Sequence, residues 1–314
     1  MSATLGGLEL DLPDHRRGKV RHSWQLDEGR RLLVTTDRIS ALDVVLGTVP
    51  HKGQVLNQLA AWWFEQTRDI VANHVIDVPD PNVLVAVDAR PLPVEVVVRS
   101  RLTGSTSTSL LPRYLAGERE MYGMTLPDGL TPHGPLPEPI ITPTTKAEAD
   151  DPNGHDTPIS VADVAATGLL EPELWARICD VALTLFRRGM EVAEAAGFVL
   201  ADTKYEFGLG PDDELLLIDE MHTPDSSRYW AADSLAERLA NDLEPESFDK
   251  EPVRLALREM GYRGDGPPPE LPGPVIQAAS DRYVALYERL TDLTFEPGVQ
   301  PAEARIRAVV EGLQ

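Results

Sequence analysis

Cysteine, long apolar runs and basic residues are scarce in this chain of 314 residues, which has one cysteine and a formal net charge of −22 at pH 7. One cysteine excludes an internal disulfide. The apolar runs fall short of the ~20 residues that a membrane-spanning helix needs, and the first residues lack a secretion-signal pattern. The charge argues against nucleic-acid and anionic-membrane partners. We therefore expect a cytoplasmic protein.

Patterns for covalent or zinc chemistry are missing as well. Cys179 falls in an apolar helical segment, which favours a buried structural thiol over a nucleophile. The histidines are scattered rather than spaced as zinc ligands. Neither a GxxxxGK[ST] phosphate loop nor a Ser-His-Asp order occurs. Hydrophobic residues make up 42% of the chain, which is enough for a real core.

Hydrophobic periodicity predicts a β-rich first third and a largely helical last quarter. Strands are predicted at 31–36, 42–46, 74–78, 83–87 and 94–101. Helices are predicted at 54–66, 106–116, 172–196, 235–243, 252–260, 274–292 and 301–313. A loop rich in proline and glycine is expected at 126–145. Strands and helices in separate blocks indicate an α+β fold, with one lobe over 1–92 and another over 93–314.

The most informative segment is a predicted β-hairpin whose turn spans residues 208–214. Alternation along its first strand puts Asp202, Lys204 and Glu206 on one face, and Asp219 follows the second strand. Carboxylates crowded beside a lysine are costly to assemble unless a cation and an anionic ligand lie between them. Magnesium with a nucleoside triphosphate meets both demands.

Two further segments are candidates for phosphate binding. Residues 17–21 (RGKVR) alternate cations around a glycine, a pattern that suits either a flap over phosphates or a solvated basic turn. Arg99 and Ser105 close a strand ahead of a predicted helix, which suits either a phosphate site or an ordinary helix cap.

Three other polar clusters have both a structural and a binding interpretation. Asp37 and Ser40 lie at a strand end, where they either form a turn or line a pocket. Residues 223–228 pack a carboxylate, two serine hydroxyls and an arginine into either a capped turn or a phosphate site. Lys146 and Asp156 lie in a long loop, which favours substrate binding.

Taken together, these segments resemble the SAICAR synthetase family (phosphoribosylaminoimidazole-succinocarboxamide synthases) of purine biosynthesis. The resemblance runs collinearly from about residue 18 to about residue 290. The matching stretches are 18–21, 36–43, 52–58, 95–99, 102–105, 142–148, 154–156, 200–208, 219–220, 223–230 and 247–250. One such motif would be weak evidence, whereas this many in order are specific.

The resemblance implies an ATP-grasp-like α+β fold of two lobes, with mainly antiparallel sheets and C-terminal helices. It implies a ligase that uses ATP and Mg²⁺ to join aspartate to the carboxylate of carboxyaminoimidazole ribonucleotide (CAIR), giving SAICAR, ADP and phosphate. The implied partners are therefore small-molecule substrates, with neither nucleic acid nor membrane, and homo-oligomerisation is left open.

For the nucleotide, the resemblance implies that Lys19 and Arg21 lie over the phosphates, and that Glu206 and Asp219 hold magnesium and ATP. Catalytic roles are assigned to Asp202, Lys204 and Asp219. Substrate binding is assigned to a larger set, namely Asp37, Ser40, Arg99, Ser105, Lys146, Asp156, Asp225, Ser227 and Arg228.

A few positions depart from the family's usual pattern. His22 stands where aspartate is usual, Ser100 and Arg101 stand where glycine and tyrosine are usual, residues 106–108 differ as well, and His222 replaces an aliphatic residue. Some of these departures flank the expected ribonucleotide pocket. Two interpretations are open: a SAICAR-forming enzyme, or a paralogue in specialised metabolism with an altered carboxylate or amine substrate.

A third hypothesis is a nucleotide-binding protein without catalysis. It requires the loss of a metal or phosphate ligand, because sites rather than folds decide function. Lys19, Lys204, Glu206 and Asp219 are all present, which argues against it.

Overall fold

The computed structural model describes residues 4–42, 44–105, 109–146 and 157–313. An antiparallel β-sheet forms the framework of its N-terminal part. The elements here are β1 (Arg16–Arg17), β2 (Arg21–Asp27), β3 (Arg30–Thr35), β4 (Arg38–Ala41), β5 (Val44–Thr48), α1 (Lys52–Gln66), β6 (Val75–Asp80) and β7 (Val83–Val87). Five strands follow the order β1-β2-β3-β7-β6, and β4 and β5 form a separate two-stranded sheet.

A second, seven-stranded sheet follows in the chain. Its part of the chain contains β8 (Arg90–Arg101), β9 (Glu120–Met121), β10 (Met124–Thr125), β11 (Pro135–Ile141), β12 (Thr144–Thr145), β13 (Thr157–Pro158), β14 (Phe198–Leu209), β15 (Leu215–Ile218) and β16 (Ser227–Ala231). The sheet runs β13-β12-β8-β14-β15, with β11 paired to β8 and β16 paired to β14. The remaining pair, β9 and β10, forms a separate small hairpin.

Helices cover these sheets. They are α2 (Leu110–Leu115), α3 (Val161–Ala166), α4 (Pro172–Ala195), α5 (Ala232–Ala240), α6 (Glu251–Glu259), α7 (Gly273–Thr291) and α8 (Ala302–Leu313). The apolar face of α4 packs on the second sheet, whereas α8 returns to the first sheet, where Ile306 and Val310 share a core with Trp24 and Leu32. None of the helices in the described ranges has the length and hydropathy of a membrane span.

The central strands β8 and β14 divide the core from the charged residues. Val96 and Tyr205 pack in the same apolar cluster as α4. Because side chains alternate along a strand, the intervening residues point to the opposite face. There the register places Asp202 opposite Arg99, and Glu206 opposite Glu95. The sheet thereby gathers charged side chains on one face.

The α+β class and the β14–β15 hairpin are confirmed, while the loop predicted at 126–145 is wrong in its second half. That segment contains β11 and β12. Pro135, Pro137 and Pro139 suggested a loop, but within the described ranges β11 pairs only with β8, and its register is irregular between Pro135 and Ile140. An edge strand tolerates prolines because half of its backbone needs no partner. The division at 92/93 stays a prediction; it lies inside β8.

Candidate active site

A cleft of about 450 Å³ is lined by residues from both sheets. The turn between β1 and β2 contributes Lys19 and Arg21, and β4 contributes Ser40. From the second sheet come Lys204 of β14 and Asp219, which directly follows β15. The predicted hairpin and the predicted basic turn therefore meet in one cavity.

Glu206 is held by two lysines. It forms ion pairs with Lys146 and Lys204, and Lys204 Nζ also lies 2.9 Å from Glu95 Oε1. Burial alone would raise the pKa of Glu206, but the two lysine charges outweigh it and hold that pKa well below its ordinary value. Glu206 is therefore a carboxylate at neutral pH.

Asp219 directly follows Ile218, the partner of Glu206 in the β14–β15 register, and has a left-handed backbone conformation with φ of 67°. Aspartate tolerates this conformation better than most residues. Arg21 Nη1 donates to Asp219 Oδ1 at 2.6 Å, and Arg21 Nη2 lies 2.9 Å from Glu220 Oε1. Burial raises the pKa of Asp219, and Glu206 and Glu220 add to the rise against the opposing charge of Arg21. A cation would relieve this repulsion between carboxylates.

Asp202 binds two arginines from neighbouring strands. Arg99 Nη1 lies 2.6 Å and Arg228 Nη1 2.5 Å from Asp202 Oδ2, and Arg99 Nε donates to Thr142 Oγ1 at 3.0 Å. Two guanidinium groups around one carboxylate leave a net positive charge. The same arginine, Arg228, lines a neighbouring cavity of about 270 Å³ together with Ser105. Two arginines with a serine hydroxyl nearby suit the binding of a phosphate.

Asp225 connects the two regions. It lines the main cleft and also a smaller cavity with Asp202, Ser227 and Arg228. The main cleft and the cavity beside Arg228 therefore adjoin each other at Asp225.

Sequence reasoning missed the partners of Asp225. Lys52 Nζ lies 2.8 Å from Asp225 Oδ2, the Tyr283 hydroxyl donates to Oδ1 at 2.7 Å, and Lys250 Nζ lies 3.5 Å away. These residues begin α1, lie in α7 and precede α6. Lys52 and Lys250 stand in matched stretches, which was the available signal.

Asp37 departs from the expected substrate contact. Its two oxygens accept backbone N–H groups of Leu5 at 2.7 Å and Gly53 at 2.8 Å, and the residue is buried away from the cleft lining. Asp37 therefore fixes the first turn of α1. Asp156 and residues 106–108 lie outside the described residues. Cys179 is half-buried, and burial raises its pKa to about 12, which suits a structural thiol.

The fold is that of a known class of ligases, the SAICAR synthases. A SAICAR synthase from Saccharomyces cerevisiae in complex with SAICAR superposes with a TM-score of 0.79 at 31% identity, covering 93% of this chain and 100% of that one. The family model described as SAICAR synthetase matches residues 14–269, and the chain belongs to this family.

Relatives point the same way. A putative phosphoribosylaminoimidazole-succinocarboxamide synthase 2 of Mesorhizobium japonicum is 49% identical over 91% of each chain. The phosphoribosylaminoimidazole-succinocarboxamide synthase of Legionella pneumophila is 47% identical, also over 91% of each. The resemblance found in the sequence motifs is thereby confirmed.

Proposed function

We propose that this protein joins L-aspartate to the carboxylate of CAIR at the expense of ATP, giving SAICAR, ADP and phosphate. The observation that carries the proposal is one contiguous site. In it, Asp219 and Lys204 line a cleft beside a basic hairpin, and Glu206 is paired to that lysine. The pair of arginines on Asp202 lies next to the cleft, and Asp225 lines both regions.

The reaction needs an activated carboxylate, because direct displacement would expel oxide. Transfer of the γ-phosphoryl group of ATP to the CAIR carboxylate gives an acyl phosphate and ADP. The amine of aspartate then attacks the acyl carbon, loses its proton and expels phosphate. Catalysis of this kind rests on positioning and charge stabilisation, which agrees with an inert Cys179.

The basic hairpin and Lys204 provide the charge for the nucleotide. Lys19 and Arg21 are assigned to the phosphates, and Lys204 to the transferring group. Arg21 also orients Asp219 through its 2.6 Å hydrogen bond. Lys146 is assigned to the amino-acid side of the cleft, where its ion pair with Glu206 would respond to bound ligand.

Glu206 and Asp219 are the residues that would hold magnesium. In the described residues, no three acidic, histidine or cysteine side chains form a ready metal centre. Mg²⁺ suits such a site because it is usually bound by one or two carboxylates plus substrate phosphates. The raised pKa of Asp219 reflects the same need for a cation. When bound, magnesium supplies charge neutralisation on the phosphates.

Arg99, Ser105, Ser227 and Arg228 are assigned to the 5′-phosphate region of the ribonucleotide. Asp202 keeps both guanidinium groups oriented, and Asp225 is assigned to the ribonucleotide. No observation on the described residues favours the paralogue with an altered substrate. The cytoplasmic location, the lack of nucleic-acid partners and the oligomeric state stay predictions.

The test is ADP release by the purified protein. Aspartate and CAIR together should trigger ADP release, with SAICAR identified by mass spectrometry, and neither should do so alone. ATP binding without turnover on this pair, or turnover only with another amine or carboxylate, would overturn the proposal.

Asp219→Asn tests the site within the same assay. It should lower kcat at least about a hundredfold, because the amide is a poor magnesium ligand and charge-stabilising groups carry effects of this size. Asp212→Asn is the matched control, since Asp212 is exposed in the turn of the same hairpin. Full activity of Asp219→Asn would remove Asp219 from the mechanism.

A further inference from the structure

Residues 18–20 form the tip of the β1–β2 hairpin, which carries Lys19 and Arg21. Hydrogen bonds from Thr36 and Arg38, at the start of β4, hold this tip. Arg38 Nη2 donates to the carbonyl of Gly18 at 2.9 Å, and Arg38 Nε donates to that of Lys19 at 2.9 Å. The Thr36 N–H donates to the next carbonyl, that of Val20, at 3.0 Å. Three consecutive carbonyls of the tip are therefore fixed by residues 36 and 38.

The two strands of this hairpin are held unequally. The strand β2 pairs with β3 from Arg21 onward, whereas β1 has two residues and, among the described residues, pairs only with β2 at the edge of the sheet. A short edge strand is weakly held by itself. Residues 18–20, between the two strands, thus depend for their position on Arg38, together with the Thr36 bond to Val20.

Arg38 is buried, and among the described residues no carboxylate forms an ion pair with it. Its remaining nitrogen, Nη1, lies 2.7 Å from His22 Nε2 and 3.3 Å from the carbonyl of Gly6. His22 is buried as well, and its Nδ1 lies 2.9 Å from His15 Nε2. The guanidinium is satisfied by neutral acceptors.

This chain of bonds fixes the protonation of both rings. A guanidinium only donates hydrogen bonds, so His22 Nε2 must accept. His22 then carries its proton on Nδ1 and donates to His15 Nε2. The Nδ1–H of His15 is left facing the Glu9 carboxylate, 3.9 Å away. Burial, together with the charge of Arg38, lowers the pKa of His22 to about 4, in keeping with a neutral ring.

Trp24 supports the arrangement. Its ring lies 4.7 Å from that of His15 at an interplanar angle of 5°, and 5.6 Å from that of His22 at 15°. The indole is fully buried. The two imidazoles are therefore fixed in orientation by packing as well as by hydrogen bonds.

We propose that His22 and Arg38 are positioning residues for nucleotide binding. The His22 imidazole orients the Arg38 guanidinium, and Arg38 holds the hairpin backbone so that Lys19 and Arg21 face the nucleotide phosphates. The proposal rests on the proposed function only in taking the cleft as the nucleotide site. It also gives a physical role to His22, a departure from the family pattern.

His22→Phe and His22→Gln test the proposal as a pair. Phenylalanine keeps the ring on Trp24 but cannot accept from Arg38, whereas the glutamine carbonyl can. His22→Phe should raise the KM for ATP about tenfold, the effect of one lost charge-assisted hydrogen bond. The kcat and the KM values for aspartate and CAIR should change less than about threefold. His22→Gln should restore the KM for ATP to near the wild-type value.

A second readout does not depend on catalysis. Trypsin should cleave His22→Phe after Arg17 or Lys19 faster than it cleaves wild type or His22→Gln, as followed by mass spectrometry. ADP affinity by calorimetry should fall in parallel. Both measurements keep their meaning even if CAIR proves not to be the substrate, so failure of this proposal is distinguishable from failure of the proposed function.

Arg38→Lys provides a second variant if His22→Phe does not fold. Lysine keeps the charge but cannot span two carbonyls, so the same rise in KM and in cleavage is expected. Arg68→Lys, at an exposed ion pair with Glu65, is the matched control. A wild-type KM for ATP and wild-type cleavage in folded variants, or equal rises in all three KM values, would overturn the proposal.

Discussion

Individual charged residues in and around the cleft share their partners. Asp202 lies between two arginines, Glu206 between two lysines, and Arg21 binds both Asp219 and Glu220. Sharing fixes each side chain in place but leaves part of the charge unmatched. Such a site is complete only when ligands of the missing sign are bound.

Arg228→Ala tests this idea on the ribonucleotide side. We expect the KM for CAIR to rise about ten- to a hundredfold, because a charged phosphate contact is lost. The KM for ATP should change little, since Arg99 still pairs with Asp202 and the proposed nucleotide cleft is untouched. Steady-state kinetics with each substrate varied in turn provides the measurement. Equal rises for CAIR and ATP would argue against a phosphate contact.

Among secondary-structure elements, the contact between α4 and the second sheet depends on one glycine. An ideal Cβ on Gly189 would lie 2.2 Å from His222 Cε1 and 2.9 Å from Leu200 Cδ2. His222 is buried against Trp63, with ring centroids 4.6 Å apart, and its Nε2 lies 2.5 Å from the Tyr205 hydroxyl. The glycine and the unusual histidine therefore fit as a pair.

Gly189→Ala should destabilise the protein by about 2 kcal/mol, although alanine is the better helix former, because overpacking costs more than the propensity gains. Urea unfolding measures the change. Gly312→Ala in α8 meets nothing within 4 Å and is the control, expected to be neutral or slightly stabilising. His222→Ala should relieve the clash, so the two substitutions should be strongly non-additive; simple additivity would disprove the pairing.

The secondary-structure elements also show which parts of the fold could be predicted from the sequence. The β14–β15 hairpin was predictable because its turn and its strand alternation are local signals. The strands β2, β4 and β16 were missed because their residues are too polar to stand out from loops. The Asp225 cluster was missed because Lys52, Lys250 and Tyr283 are brought together by helix packing, which no local period encodes.

For the molecule as a whole, buried neutral histidines imply sensitivity to acid. Burial lowers the pKa of His22 to about 4 and those of His74 and His222 to about 3. In the unfolded chain these histidines have a pKa near 6.5. Below pH 6.5 they therefore bind protons in the unfolded chain but stay neutral in the folded protein. The free energy of unfolding therefore falls as the pH drops from 6.5 towards 4. Asp249 opposes this in part, because burial raises its pKa to about 7 and the folded protein then binds that proton more tightly than the unfolded chain does.

His222→Leu isolates one of these contributions. The free energy of unfolding should depend on pH less steeply in the variant, by about 1.4 kcal/mol per pH unit between pH 6 and 5. Urea titrations at several pH values give both slopes, and the comparison holds even if the variant is less stable overall. Parallel slopes would show that His222 is not buried in its neutral form.

The last helix, α8, completes the core of the first sheet, and Arg305 in it donates to Asn82 at 2.6 Å. During synthesis on the ribosome, the apolar face of the first sheet therefore stays partly uncovered until α8 has been made, long after β7. We expect the lobe that bears the hairpin with Lys19 and Arg21 to complete its core late, although most of that lobe is synthesised early.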